Sequence, residues 1–176
     1  MKFTAPRRIH WLLLISAAIF ILDRLTKSWI ALHVPLGDSI PVMAHFLRIT
    51  HLANYGGNFG IFAESAQKSL LVRWQLIGLN SLILLVVLAA IVFLGSHLTR
   101  TSFGLSLALG GGLGCLYDRI AYGAVVDFIE VHIFSYHWPD FNIGDIAIVT
   151  GACLLVLDYL LSKTGIAQQQ QTEATR

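Results

Sequence analysis

The sequence predicts an all-α membrane protein with four transmembrane helices, a small extramembrane sheet and a short interfacial segment. Of its 176 residues, 56% are hydrophobic and 12% are charged, whereas soluble domains carry about 25% charged residues. Four segments also approach the roughly 20 apolar residues that a membrane helix needs. The net charge of +2 and the lack of a basic stripe with interleaved aromatic residues argue against nucleic acid as a partner.

The predicted spans cover about residues 9–32, 71–94, 103–120 and 142–161. The first could imitate a secretory signal, but the small residues that might be cleaved, Ser16 to Ala18, lie inside its apolar run. We therefore interpret it as a retained span. Residues 1–163 are expected to form a single membrane-embedded domain. Residues 164–176, with glutamine from Gln168 to Gln171, are expected to be a disordered polar tail.

Basic residues near the span ends predict the orientation in the membrane. They lie at the amino terminus, in the link between the second and third spans, and at the carboxyl terminus: Lys2, Arg7, Arg8, Arg100, Lys163 and Arg176. Both termini are therefore expected on the cytoplasmic side. The ends of the first and third spans and the starts of the second and fourth then lie at the outer surface.

This orientation brings most of the unusual polar residues to the outer boundary of the membrane. They are late in the first span, late in or just after the third, or at the start of the fourth: Asp23, Lys27, Asp118, Arg119, Asp127, Asn142 and Asp145. Ionisable groups at membrane depth are costly and are usually retained for function. The convergence therefore predicts a functional site at the outer face.

Two segments outside the spans are expected on that same side. Residues 33–69 contain turn signals and then an alternating pattern that favours strands, so we expect a small sheet resting on the membrane. Residues 122–141 contain a run typical of a strand, followed by a predicted turn at residues 137–140. Tyr136 and Trp138 are of the type that lies at the membrane interface.

Asp127 and Asp145 are the candidates for chemistry. Two carboxyl groups in one poorly hydrated site can share a proton, because like charges and burial raise one pKa. One group could then take a proton from water while the other donates to a peptide carbonyl. The alternative is structural: Asn142 could cap the fourth span with Asp145 at its third position, and Asp127 could anchor a segment at the interface.

The other polar residues also leave alternatives open. Arg119 could extend to the headgroups with Asp118 as its neutralising partner, which the residues alone favour. Alternatively, it could hold a substrate carbonyl or position a catalytic carboxylate. Asp23 and Lys27, four residues apart, favour a structural ion pair over a wall of the site. Asn54 could belong to a simple glycine-rich turn or could bind an extended peptide.

Glycine and cysteine residues point to packing. The run from Gly110 to Gly114 contains a GxxxG spacing that allows close helix contact, and no Gly-Lys-Ser/Thr follows it that would make a phosphate-binding loop. Cys115 and Cys153 are expected to be small buried core residues. The two cysteines and seven histidines lack metal-ligand spacing, so they do not indicate a metal site.

Four motifs together resemble the lipoprotein signal peptidase family, also called signal peptidase II, over about residues 9–161. The D-x-x-x-K motif matches Asp23 and Lys27, and the N-x-G-x-x-F motif matches Asn54, Gly56 and Phe59. The glycine-rich motif and the F-N-x-A-D motif match these residues: Gly111, Gly114, Asp118, Arg119, Val126, Asp127, Phe128, Phe141, Asn142 and Asp145.

The resemblance implies a bacterial inner-membrane aspartic endopeptidase that needs no metal or cofactor. It implies Asp127 and Asp145 as the catalytic pair, with Asn54, Gly56, Arg119 and Asn142 binding substrate. The substrate would be a prolipoprotein cleaved just before its diacylglyceryl-cysteine. The implied fold has four spans, an outward β-cradle and a short periplasmic helix. Membrane lipid is the other expected partner, and a monomer is expected.

This sequence departs from the family pattern at three positions, which raises a second hypothesis. Cys115 stands where the family usually has Asn, and Asn58 and Gly144 stand where it usually has Ala. A noncatalytic paralogue that binds lipopeptide or lipid in the same groove would keep the motifs but lose cleavage. A proton-linked transporter is a third hypothesis, disfavoured because the acidic residues are expected at one end rather than at the midplane.

Overall fold

The computed structural model describes residues 8–57, 62–94, 98–134 and 136–174. Five residues named above, Lys2, Arg7, Asn58, Phe59 and Arg176, lie outside this part of the chain. The elements are α1 (Ile9–His33), β1 (Ser39–Met43), β2 (Leu47–Asn54), α2 (Ala63–Lys68), α3 (Leu70–Leu94), α4 (Arg100–Ala121), β3 (Val125–Ile133), β4 (Tyr136–Phe141) and α5 (Ile143–Ala174). The protein is therefore mostly helical with one small antiparallel sheet.

Three of the described helices are long and apolar enough to cross a membrane: Ile9–His33, Leu70–Leu94 and Ile143–Thr164. They correspond to the first, second and fourth predicted spans. The third predicted span forms α4, which is long but contains several glycine and serine residues and ends near Asp118 and Arg119. Its composition accordingly does not by itself mark it as a span.

Helix α4 lies at the centre of the bundle, where it packs against α1, α3 and α5. Its glycines lie where a side chain would collide with a neighbouring backbone. A Cβ on Gly110 would be 2.5 Å from the Ser16 carbonyl oxygen of α1, and one on Gly111 would be 2.2 Å from the Gly144 carbonyl oxygen of α5. The predicted role of the glycine run in helix packing is confirmed.

The four strands form one antiparallel sheet in the order β1-β2-β3-β4. The central pairing joins β2, which follows α1, to β3, which follows α4. The predicted turn at residues 137–140 is wrong, because these residues belong to β4. Pro139 is tolerated there since β4 is an edge strand and leaves backbone groups unpaired on one side.

The sheet lies at the end of the bundle where α1 and α4 end and where α5 begins. Ile30 and Val34 from the end of α1 pack against Phe128 of β3 in a small apolar core. This contact fixes β3 against the helices and so fixes the position of the neighbouring residue, Asp127.

Helix α5 continues to Ala174, whereas the sequence predicts a disordered polar tail from residue 164. Alanine, glutamine and glutamate have high helix propensity, and they dominate this end of the chain. An established helix can therefore continue through them without an apolar face to bury.

Candidate active site

Asp127 lies in β3 with its side chain turned into the protein and 3% of the residue exposed. Both carboxylate oxygens accept a hydrogen bond from an amide side chain. Asn142 Nδ2 donates to Oδ1 at 2.6 Å, and Asn54 Nδ2 donates to Oδ2 at 3.0 Å. The two asparagines, from the start of α5 and the end of β2, hold the carboxyl group in one orientation.

Asp145 lies in the first turn of α5, and Asn142 immediately precedes that helix. The Asp145 backbone N–H donates to Asn142 Oδ1 at 3.0 Å, and the Asn142 backbone N–H donates to Asp145 Oδ2 at 3.2 Å. This reciprocal pair is a capping box, so the predicted cap is confirmed. Because the Asn142 side chain also binds Asp127, the cap connects the two aspartates.

Asp127 and Asp145 face a common cavity of about 350 Å³. One part of its wall is polar and contains Asn54, Arg119 and Cys115. The rest is largely apolar and comes from β3, β4 and the face of α5 below Asp145: Val125, Trp138, Pro139, Phe141, Ile146, Ile148 and Val149. The cavity therefore offers two carboxyl groups beside an apolar channel that follows a membrane helix.

Burial, and secondly the nearby charge of Asp145, raise the pKa of Asp127 to about 7 from an ordinary value of 3.8. The amide hydrogen bonds from Asn54 and Asn142 and the charge of Lys27 act in the opposite direction, but they do not outweigh burial. The carboxyl group of Asp127 can therefore keep its proton close to neutral pH.

Arg119 is 7% exposed and lines the cavity. One of its terminal nitrogens is 3.4 Å from the Tyr55 carbonyl oxygen. Within the described residues, its Nε is buried without a hydrogen-bond partner. The alternative in which Arg119 extends to lipid headgroups does not fit this position, and the structure brings it to the aspartates instead.

Asn54 and Gly56 form a tight turn at the end of β2. The Gly56 backbone N–H donates to Asn54 Oδ1 at 2.9 Å, which directs the amide nitrogen of Asn54 towards Asp127. Asn54 thus takes part in a local turn and also lines the cavity. Gly56 supports Asn54 and is absent from the residues that line the cavity.

A buried ion cluster lies behind the cavity. Lys27 Nζ is 2.8 Å from Asp23 Oδ2 and 3.0 Å from Asp118 Oδ2, and all three side chains are fully buried. The structural ion pair predicted for Asp23 and Lys27 is confirmed, and Asp118 joins it. None of the three lines the cavity.

The two carboxylates of this cluster each hold the backbone directly before one candidate catalytic residue. Asp118 Oδ2 accepts a hydrogen bond of 3.3 Å from the backbone N–H of Val126, and Asp23 Oδ1 accepts one of 2.8 Å from that of Gly144. Lys27 binds both carboxylates, so one ammonium group connects the backbone positions of Asp127 and Asp145.

Arg24 completes the cluster and was missed by sequence reasoning. Its guanidinium group binds Asp118 Oδ1 and lies 4.6 Å from the centre of the Tyr117 ring. The signal that could have identified it is its spacing, because it follows Asp23 and so belongs to the same helix turn as Lys27. Its partner is 94 residues away, which no local pattern reveals.

Cys115 is 7% exposed and lines the cavity, whereas Cys153 is exposed on the outside of the bundle. The prediction of a buried residue thus holds for Cys115 and is wrong for Cys153, which faces outward from α5.

Among the described residues, one group brings three metal-binding side chains within reach of one another: Glu130, His132 and His137. It contains neither Asp127 nor Asp145.

Comparisons with known proteins agree over most of the chain. A family model described as signal peptidase (SPase) II matches residues 15–161. A lipoprotein signal peptidase of Solibacter usitatus (strain Ellin6076) is 38% identical over 156 residues, which cover 85% of this chain and 90% of that protein. One of Blochmanniella pennsylvanica (strain BPEN) is 37% identical over 153 residues, which cover 87% of this chain and 90% of that protein.

Among solved structures, a bacterial membrane enzyme determined by the in meso method at 2.3 Å resolution is similar to this chain. It has a TM-score of 0.73 and 31% identity, with 89% of this chain and 91% of that chain covered.

Proposed function

This chain belongs to the signal peptidase II family, and we propose that Asp127 and Asp145 are the carboxyl groups with which it cleaves. The protein is a protease that removes signal peptides from prolipoproteins. The observation that carries the assignment is that both aspartates line one cavity. One of them, Asp127, is held by two amide groups and has a pKa of about 7.

Near neutral pH the pair carries one proton, and Asp127 holds it at the start of the reaction. Asp145, as the ionised partner, takes a proton from a water molecule whose oxygen bonds to the carbonyl carbon of the scissile peptide. Asp127 gives its proton to the carbonyl oxygen. The tetrahedral intermediate then collapses and the C–N bond breaks: Asp145 gives the proton it took from water to the departing amine nitrogen, and Asp127 takes a proton back from a hydroxyl group of the intermediate as the new carboxyl group forms. No other reactant is required.

The walls of the cavity fit an extended peptide attached to a lipid. Asn54 and Arg119 line the cavity with side chains that carry N–H donors. The buried Nε of Arg119 lacks a hydrogen-bond partner within the described part of the chain, so a shift of this side chain would let it donate to a substrate carbonyl. The apolar residues of α5, Ile146 and Val149, continue from Asp145 along a membrane helix. They suit the acyl chains of a diacylglyceryl-cysteine, with cleavage on its amino-terminal side.

Helix α4, the third predicted span, also crosses the membrane in this proposed architecture, which brings the number of crossings to four. Helices α1 and α4 both lead into the sheet, and α5 starts from it. Helix α3 lies between strand β2 and helix α4 in the chain, so α4 is the element that brings the chain back across the bundle to the sheet before α5. The 22 residues of α4 extend about 33 Å, which matches a hydrocarbon core of about 30 Å. Three of its polar residues are fully buried: Ser102, Ser106 and Asp118.

The same arrangement supports the localisation. With Arg100, Lys163 and the basic amino terminus on the cytoplasmic side, the sheet and the cavity lie at the outer face of the inner membrane. Residues 1–163 then act as one membrane-embedded peptidase domain, and a monomer suffices because one chain supplies both aspartates and the cavity. Membrane lipid surrounds the apolar outer surfaces of α1, α3 and α5.

The test is cleavage of a diacylglyceryl prolipoprotein by the purified protein in detergent. Asp127→Asn and Asp145→Asn should each lower the rate by about 100-fold or more, while both variants still bind the substrate. Asp158→Asn is the matched control, because Asp158 binds Arg100 and Thr101 far from the cavity, and it should cleave normally. Full activity in either cavity variant contradicts the assignment. Binding without cleavage by the unaltered protein would instead favour the noncatalytic hypothesis.

A further inference from the structure

Three metal-binding side chains meet on the β3–β4 hairpin, outside the catalytic cavity. Glu130, His132 and His137 each offer one ligand atom, and these atoms lie within 4.8 Å of one another. His132 and His137 are directly paired across the two strands, and their ring centres are 4.0 Å apart. Glu130 lies two residues before His132 on the same strand, and its Oε1 is 2.8 Å from His132 Nε2.

We propose that Glu130, His132 and His137 form a binding site for a divalent zinc ion. Two imidazole nitrogens and one carboxylate oxygen form a ligand set that zinc accepts, with water in the fourth position. Ligand atoms around tetrahedral zinc are about 3.4 Å apart when each bond is about 2.1 Å. Side-chain movements of about an ångström therefore bring the three atoms into place.

The surroundings already orient one of the ligands. Arg48 Nε is 3.5 Å from Glu130 Oε2, so the guanidinium group holds the far oxygen and leaves Oε1 facing the histidines. His132 Nε2 is buried and makes no well-directed hydrogen bond among the described residues, and its 2.8 Å contact with Glu130 Oε1 is the contact that a shared ion would replace. An ion bound to both atoms would give this nitrogen the well-directed partner that buried polar atoms nearly always have.

Charge and access also fit a cation. Asp140 of β4 lies close enough to interact electrostatically with Glu130 and His132, which places a second carboxyl group on this side of the site. His137 is exposed on the edge strand, which gives the ion a path from solvent. The proposed site thus has an anionic side, an open side and a ligand held in position by a neighbouring residue, as metal sites typically do.

An ion at this position would tie β3 to β4. Strand β4 continues into Trp138, Pro139 and Asp140, which line the catalytic cavity, so the ion would stabilise one wall of that cavity. It does not enter the proposed cleavage reaction. The zinc site therefore goes beyond the peptidase function, and each can fail without the other.

The test uses the full chain without a polyhistidine tag, freed of metal and titrated with zinc chloride in detergent by calorimetry. One zinc ion per chain is expected to bind. At a zinc concentration about 100-fold above Kd, the Tm should rise by about 5–10 °C. Cobalt in place of zinc should give the visible absorption of a tetrahedral complex with nitrogen and oxygen ligands.

Variants locate the ion. His137→Gln removes an exposed ligand and Glu130→Gln removes the carboxylate, and each should weaken zinc binding at least tenfold. His33→Gln removes an exposed imidazole at the end of α1 and should bind zinc like the unaltered protein. The proposal is overturned if the unaltered protein binds no zinc at this stoichiometry, or if His137→Gln binds it as tightly as His33→Gln. In the absence of zinc, His137→Gln should still cleave prolipoprotein.

Discussion

At the scale of single residues, the proposed cleavage depends on whether Asp127 is protonated. Its pKa is raised to about 7, so the group is protonated below that pH and ionised above it. If the pair needs this proton, kcat/KM should be constant just below pH 7 and should fall about tenfold per pH unit above it. Cleavage measured across this range at fixed ionic strength tests the assignment, and a rate that keeps rising above pH 8 would contradict it.

Replacing Asn54 should shift the pH dependence of kcat/KM, because Asn54 binds Asp127. Its amide N–H donates to Asp127 Oδ2 and thereby favours the ionised form, so Asn54→Ala should raise the pKa of Asp127 further. The alkaline fall in kcat/KM should then move to higher pH, together with a lower maximum rate. Asn80→Ala on α3 should leave the pH profile unchanged, since Asn80 does not line the cavity. An identical profile for Asn54→Ala would exclude this role.

Lys27 offers a contrast between two acid–lysine pairs of the same spacing. Lys27 binds Asp23 with both side chains fully buried, whereas Lys68 binds Glu64 with both side chains largely exposed. Lys27→Met leaves buried carboxylates without their shared cation and should cost about 3–5 kcal/mol of the free energy of unfolding. Lys68→Met should cost less than about 1 kcal/mol. Unfolding in detergent measures both, and equal losses would show that the buried cluster is not structural.

The residues of the site were predictable to different degrees. Asp127, Asp145 and Asn142 stand out because polar residues beside apolar segments are costly, and the structure brings them together. The position of Arg119 was not predictable from its neighbours, because a late-span arginine can turn outward or inward with the same local sequence. Arg24 and the pairing of Asn54 with Asp127 depend on contacts between distant parts of the chain.

At the scale of elements, α4 depends on glycine where it meets α5. A Cβ on Gly111 would be 2.2 Å from the Gly144 carbonyl oxygen, whereas one on Gly78 of α3 would meet nothing within 4 Å. Gly111→Ala should therefore force α4 and α5 apart, cost about 1–3 kcal/mol of the free energy of unfolding and slow cleavage, because Gly144 precedes Asp145. Gly78→Ala should be neutral or slightly stabilising. Unfolding and cleavage assays on both variants decide the matter, and a neutral Gly111→Ala would refute the packing argument.

Helices were easier to predict than strands in this chain. Length and hydropathy place α1, α3 and α5 within a few residues of their observed starts, because lipid and core both require long apolar runs. The sheet depends on β2 pairing with β3, strands that belong to different loops. Residues 137–140 carry turn-type residues, yet they form an edge strand, because pairing with β3 overrides the local preference.

At the scale of the whole molecule, the proposed topology has four crossings with both termini in the cytoplasm. Alkaline phosphatase, which is active only outside the cytoplasm, can be fused after Gly37, Thr99, Gly123 and Lys163. The fusions after Gly37 and Gly123 should be active, and those after Thr99 and Lys163 should be inactive. A fusion to a fluorescent protein that folds only in the cytoplasm should give the opposite pattern. Equal phosphatase activity after Thr99 and Gly123 would mean that α4 does not cross.

The central claim is that Asp127 and Asp145 act as one catalytic unit. Its most direct test compares Asp127→Asn, Asp145→Asn and the double variant in single-turnover cleavage of a diacylglyceryl prolipoprotein, with enzyme in excess so that slow rates remain measurable. Residues that act together lose nearly all of their effect when either is removed. We predict that the double variant is about as slow as each single variant. Losses that multiply in the double variant would contradict the shared-proton pair and would mean that the two aspartates contribute independently.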